Sequence, residues 1–142
     1  MANLMAYTHS FSYQIDSLSG ETFPGLPVRL SLPEDERTFL DLVAHLDTGA
    51  SCSIFDGAPV VSTLGINVMD GREIGLSTVG GFALTARIHR VQISHPQLGR
   101  FTLDAAISTV PIARNLLGRD FFQQIQIGFR EFHHTFHVAA VP

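Results

Sequence analysis

Short runs of alternating apolar and polar residues, punctuated every few positions by Gly or Pro, fill most of this chain. Alternation of that kind is the pattern of half-buried β-strands. From Tyr7 to Ile15 it sets Phe11, Tyr13 and Ile15 on one side. Val28, Leu30 and Leu32 alternate in the same way, Pro33-Glu34-Asp35-Glu36 reads as an exposed turn, and Thr38 to Leu46 is apolar enough for an interior strand. Together these runs predict a β-hairpin. Ile74 to Leu76 and Phe82 to Ile93, flanking Val79-Gly80-Gly81, predict a second and longer one. Phe101, Leu103 and Ala105 begin a further strand that continues through Ala106-Ile107. A single short helix is expected from near Arg119, taking in Phe121, Phe122 and Ile125 and stopped by Gly128. The tail, with Ile127, Phe129, Phe132, Phe136 and Val138, returns to alternation. The pattern predicts an all-β, closed barrel-type domain with one short C-terminal helix. Residues 1–25 read as an N-terminal extension with a peripheral strand, and residues 26–142 as the domain itself.

Composition narrows the picture. The 142 residues are 45% hydrophobic and 15% charged, enough apolar material for one core and too much for a disordered chain. The net charge is -4, and all nine basic residues are Arg, scattered from Arg29 to Arg130. No basic stripe follows a phosphate backbone, so nucleic acid is not an expected partner. The lone Cys52 excludes an internal disulfide framework and a CxxC metal knuckle. The N-terminal residues lack a basic segment followed by an apolar one, and no apolar run approaches the roughly 20 residues of a membrane span. The expectation is a cytoplasmic protein without a membrane partner.

The run carrying the most chemistry is Ala44-His45-Leu46-Asp47-Thr48-Gly49-Ala50-Ser51. An apolar strand delivers a carboxylate, whose desolvation costs energy unless nearby donors compensate. Gly49 permits a close backbone approach, and the Thr48 hydroxyl can bond to backbone at the same turn. Asp-Thr-Gly alone is also ordinary turn chemistry.

Three ordered elements give that turn a context. Leu46-Asp47-Thr48-Gly49-Ala50-Ser51 comes first, the Thr78-Val79-Gly80-Gly81-Phe82 hairpin tip second, and Asn115-Leu116-Leu117-Gly118-Arg119-Asp120-Phe121-Phe122 third. In this order they resemble the retropepsin family, the retroviral-type aspartic proteases and their cellular and bacterial relatives. The similarity spans roughly Val28 to Phe129. It implies an aspartic endopeptidase with catalytic residues Asp47, Thr48 and Gly49. The chain has one Asp-Thr-Gly and the chemistry needs two carboxylates, so a homodimer acting on a peptide or protein substrate is implied, with no cofactor and no metal. By the same carry-over the tip closes over substrate as a flap. Val79, Gly80, Gly81, Ile54 and Ile112 would contact the peptide, and Ala50, Ser51, Leu117, Gly118 and Arg119 would support the turn.

The chain also departs from the viral pattern. Ser51 stands where many viral members carry an acid that pairs with the signature Arg, which leaves Arg119 to find Asp120, Asp104 or a residue of the second chain. The C-terminal segment Phe129 to Val138 either interleaves between subunits or forms an additional strand. Cys52 with His45 suggests a thiol protease, but nothing orients the pair. His133, His134 and His137 suggest a metal, yet on a strand only His133 and His137 share a face. A catalytically silent dimer of the same fold, binding peptide or assisting assembly, is the alternative function.

Overall fold

The computed structural model describes residues 6–78 and 80–140. The chain opens with β1 (His9–Ser12) and a small hairpin of β2 (Gln14–Ile15) and β3 (Thr22–Phe23). A long hairpin follows, β4 (Gly25–Leu32) and β5 (Asp35–Leu46), then β6 (Ile54–Phe55) and the helix α1 (Gly57–Leu64). The second long hairpin joins β7 (Arg72–Ser77) to β8 (Ala83–His95), and β9 (Gly99–Ser108) returns along β8. The chain ends with β10 (Leu116–Leu117), α2 (Arg119–Phe122), β11 (Ile125–Arg130) and β12 (Thr135–Ala140).

The main sheet runs in the order β4-β5-β10-β6-β9-β8-β7, and β4 also pairs with β8 from Arg29↔Ser94 to Ser31↔Gln92. Six strands thus form a continuous ring of pairings, with β7 attached outside it. Period-two alternation divides the side chains between two clusters. Leu46, Leu117, Phe55 and Ile107 point into the main core with Leu26, Leu30, Val91, Ile93 and Phe121. On the opposite face, Ile54, Ala86 and Ala106 form a smaller cluster with Leu116, Ile88, Ile74, Leu76, Leu84 and Ile112. Lateral pairing sets Gly25, His45, Leu116, Ile54, Ala106 and Ile88 in one row along that second face.

A separate sheet, β1-β12-β11, gathers both ends of the described chain. Phe136 is fully buried there between Phe11 and Phe129, and the Tyr13 hydroxyl donates to Glu131 Oε2 at 2.6 Å. Both edges of β12 are occupied by strands of its own chain. Within this chain the tail forms β11 and β12 of that sheet.

Several expectations change. Ile125 opens β11 rather than belonging to the helix, which ends at Phe122. Helix α1 was not anticipated. It starts where a Gly57 side chain would strike the Ser108 carbonyl oxygen, and it ends on Gly65 at φ 71°, a left-handed C-cap. β5 is interior only at its end, since Asp35 to Phe39 are exposed and burial begins in earnest at Ala44. Ile15 is 69% exposed, because the chain breaks between β1 and β2 at the buried Tyr13. Phe132 lies in a short 3-10 turn, 92% exposed, and His134 at φ 51° reverses the chain into β12. His133, His134 and His137 therefore do not share one strand.

Candidate active site

β5 is buried at Ala44 and Leu46 and then releases the chain into the Asp47-Thr48-Gly49 turn. The pairing of β5 with β10 continues one residue past the strand, where the Asp47 N–H donates to the Leu117 carbonyl at 3.0 Å. The Gly49 N–H donates to Asp47 Oδ1 at 2.8 Å, and the Ala50 N–H closes the turn on the Asp47 carbonyl at 3.2 Å. Asp47 is half-buried, while Thr48 and Gly49 are exposed. A carboxylate is thus fixed by backbone at the rim of the barrel, with its turn facing outward.

The segment 115–120 is what holds it. The Arg119 N–H donates to the Ala50 carbonyl at 2.8 Å, and the His45 N–H to the Asn115 carbonyl at 2.8 Å. The Asn115 side chain accepts from the Asp56 N–H at 2.9 Å, fixing the exit of β6. Gly118 passes so close that a Cβ would lie 2.6 Å from the Ala50 oxygen and 2.8 Å from the Cys52 oxygen. No side chain fits there.

Behind the turn is a buried polar knot. The Ser53 hydroxyl donates to Asp120 Oδ1 at 2.7 Å and accepts from the Gly118 N–H at 3.1 Å, while the Ser53 N–H donates to Asp120 Oδ2 at 2.9 Å. Ser53 is completely buried. Sequence reasoning missed this residue, and the only signal for it was a polar residue before the apolar pair Ile54-Phe55. The knot also corrects the search for a partner to Arg119. Asp120 is committed to Ser53, and Asp104 to Arg90 at 3.0 Å, so neither pairs with Arg119. Among the described residues Arg119 is exposed and forms no ion pair.

Ile54 and Ile112 meet in the second cluster, on the face that His45 and Asp47 share. Ile54 is 5% exposed, so its contact surface belongs to the cluster's floor rather than to its rim. Facing it, Ile74, Leu76 and Leu84 come from the β7–β8 hairpin. That hairpin's tip is closed by the Thr78 N–H and hydroxyl, both donating to the Phe82 carbonyl at 2.9 and 3.0 Å, and by Gly81 N–H to the Thr78 carbonyl at 3.1 Å. Gly80 and Gly81 take φ 98° and 82°, which only glycine adopts without strain. Val79 lies outside the described residues. Ser51 is exposed beside the Asp47-Thr48-Gly49 turn.

Burial pushes the Cys52 thiol up, and the Asp120 carboxylate adds to the shift, the opposite of what a thiolate nucleophile requires. Among the described residues no three His, Cys, Asp or Glu side chains are grouped to hold a metal ion. A cavity of about 890 Å³ lies away from Asp47, along the β4–β5 hairpin and the β8–β9 turn. Its acidic groups are already engaged, Asp41 by Arg29 and Glu36 by Arg100 and Gln92. No helix among the described residues is long and apolar enough to cross a membrane.

No protein-family model matches the chain, and no curated protein matches it. Solved structures do. A retropepsin-like aspartic protease from Rickettsia conorii aligns with a TM-score of 0.61, covering 97% of this chain and 98% of that one at 10% identity. EIAV protease, solved with an inhibitor, aligns with a TM-score of 0.52 over 76% of this chain and 92% of its own, at 22% identity. The chain has the retropepsin-like fold.

Proposed function

We propose that this protein is an aspartic endopeptidase that works as a two-fold homodimer, each subunit supplying one Asp47. The observation that carries the reading is the single Asp-Thr-Gly turn, braced by 115–120 from behind and open in front. One carboxylate does not suffice for the chemistry. Two, brought face to face, cannot both ionise cheaply, so they share a proton and titrate as a pair.

In this mechanism the ionised carboxyl takes a proton from water as the water oxygen attacks the scissile carbonyl carbon. The protonated carboxyl donates to the carbonyl oxygen. Collapse of the tetrahedral intermediate breaks the C–N bond, and the proton passes to the leaving nitrogen. The exposed Thr48 would brace the two turns across the axis, and Gly49 would offer its carbonyl to the peptide. The β7–β8 hairpin, with Val79, Gly80 and Gly81 at its tip, would close as a flap over an extended substrate, which gains main-chain hydrogen bonds like an added strand. Ile54 and Ile112 line the apolar floor beneath, suited to apolar side chains beside the cleaved bond. Ala50, Ser51, Leu117, Gly118 and Arg119 form the support of the turn.

Digestion of a peptide library by the wild type and by Asp47→Asn, with sedimentation of both, tests the reading. Cleavage by the wild-type dimer and none by an equally dimeric Asp47→Asn is expected. Equal cleavage by both would overturn it. A dimer that binds peptides without cutting them would instead favour the silent scaffold.

A further inference from the structure

The row that forms the floor under the β7–β8 hairpin is apolar at Leu116, Ile54, Ala106 and Ile88, and it changes character at its other end. There the row reads His45 and then Gly25. Gly25 leaves open the space a side chain would fill, since a Cβ on it would lie 2.5 Å from Phe23 Cε2 and 3.0 Å from Val43 Cγ1. Phe23 uses that space to lie flat on the His45 imidazole, ring centroids 3.8 Å apart and planes within 5°. The imidazole is thereby fixed two residues before Asp47, near the end of β5.

Three charged groups act on this ring: Arg114, Asp16 and Asp47. Asp16 comes from the turn between β2 and β3 and is occupied there, its Oδ1 accepting from Leu18 N–H at 2.8 Å and Ser19 N–H at 3.0 Å. Arg114 directly precedes Asn115, whose carbonyl accepts the His45 N–H. It is exposed and, among the described residues, has no ion-pair partner. Burial first, and Arg114 second, lower His45 from the ordinary histidine range, and an imidazole carries at least one N–H to donate in either protonation state. An apolar residue at 45 would continue the row, and the acid that Arg114 acts on within the chain is Asp16, whose Oδ1 is held by its own turn.

We propose that Phe23, His45 and Arg114 form a subsite for an acidic side chain of the peptide, with the guanidinium and the imidazole edge as its donors. The inference rests on the peptide-cleaving reading above and adds a side-chain preference to it. In the two-fold assembly the subsite occurs twice, once on either side of the paired carboxylates. A guanidinium binds a carboxylate through charge-assisted bonds that the isosteric amide cannot match. The preference disappears once the peptide carboxyl is protonated, below about pH 4.3 for Glu.

Binding to Asp47→Asn measures the subsite without requiring hydrolysis. Fluorescence anisotropy with position-scanned peptide pools, matched except for Glu against Gln, is the assay. At one position flanking the central bond the Glu pool should bind about tenfold tighter than the Gln pool. The ratio should fall to about one in Arg114→Gln and persist in Arg37→Gln, a charge-matched change on the far arm of β5. Equal binding of the two pools, no binding of either, or a preference that survives Arg114→Gln would overturn the proposal. A preference that vanishes in Arg114→Gln while wild-type protein cuts no peptide would refute proteolysis and leave the subsite standing.

Discussion

The Asp47 turn and the tip of the β7–β8 hairpin are both short glycine-bearing reversals, and they are constructed in opposite ways. The Asp47 turn is tied to a distant part of the chain. Leu117, Gly118 and Arg119 touch its backbone directly, and Ser53 with Asp120 lock the support from inside. The tip is closed by bonds between its own residues, Thr78, Gly81 and Phe82, and its Phe82 is 74% exposed. A site that holds a carboxylate in one place and admits a long peptide needs both designs. In the proposed function the floor must be over-determined, and the hairpin tip must be able to leave it.

Substitutions should separate the two regions by the size of their effects. The largest effect is expected at Gly118, where a methyl group meets two backbone carbonyl oxygens that cannot move without displacing Asp47. Gly118→Ala should cost about 3 kcal/mol or more, as overpacking does in well-filled interiors, with loss of activity. A chemical-denaturation midpoint equal to wild type would mean that the turn is not gripped from behind. Ser53→Ala comes next. It orphans the buried Gly118 N–H and removes a bond to the Asp120 carboxylate, for about 2 kcal/mol and a lower kcat. Unchanged stability would remove the knot from the account.

At the tip, Gly81→Ala forces a side chain into φ 82° with open space around it, so only about 1 kcal/mol of local strain is expected. The effect should fall on KM more than on the unfolding midpoint. A global loss comparable to Gly118→Ala would abolish the distinction between floor and cover.

Acid should also touch the two regions unequally. Burial, then Arg114, lowers His45, and burial, then His9, lowers His95, both from an ordinary value of 6.5. A histidine depressed in the folded state takes its proton more readily when unfolded. Its contribution to stability is therefore complete above about pH 6.5 and is lost as pH falls through the folded value. The tip residues Thr78, Gly80, Gly81 and Phe82 carry no ionisable side chain. The urea midpoint should fall between about pH 7 and pH 5, and His45→Leu with His95→Leu should flatten that fall. A midpoint constant over the interval in the wild type would contradict it.

Much of this was legible in the sequence because it is local. Alternation located the two long hairpins, and Asp47, Gly118 and the paired tip glycines lie in contiguous motifs. The rest depends on residues that meet only after folding. Ser53 and Asp120 are far apart along the chain and look like surface polar residues until the barrel closes. Helix α1 was hidden because Val60 and Val61 suit a strand as well as a helix. Its boundaries come from Gly57 against Ser108 and from the Gly65 cap. The His45–Phe23 stack needs Gly25 opposite, a register fact that no linear reading supplies. Phe132 kept the expected spacing, but the left-handed His134 turned it outward.

The central claim is that two Asp47 carboxylates, one from each subunit, act on one water. Mixing wild-type and Asp47→Asn chains at constant total concentration, with time for subunits to exchange, measures it directly. If both carboxylates are required, activity follows the square of the wild-type fraction, and an equal mixture retains about one quarter of the wild-type rate. Activity strictly proportional to the wild-type fraction would show that each subunit works with its own Asp47 alone, and would contradict the account.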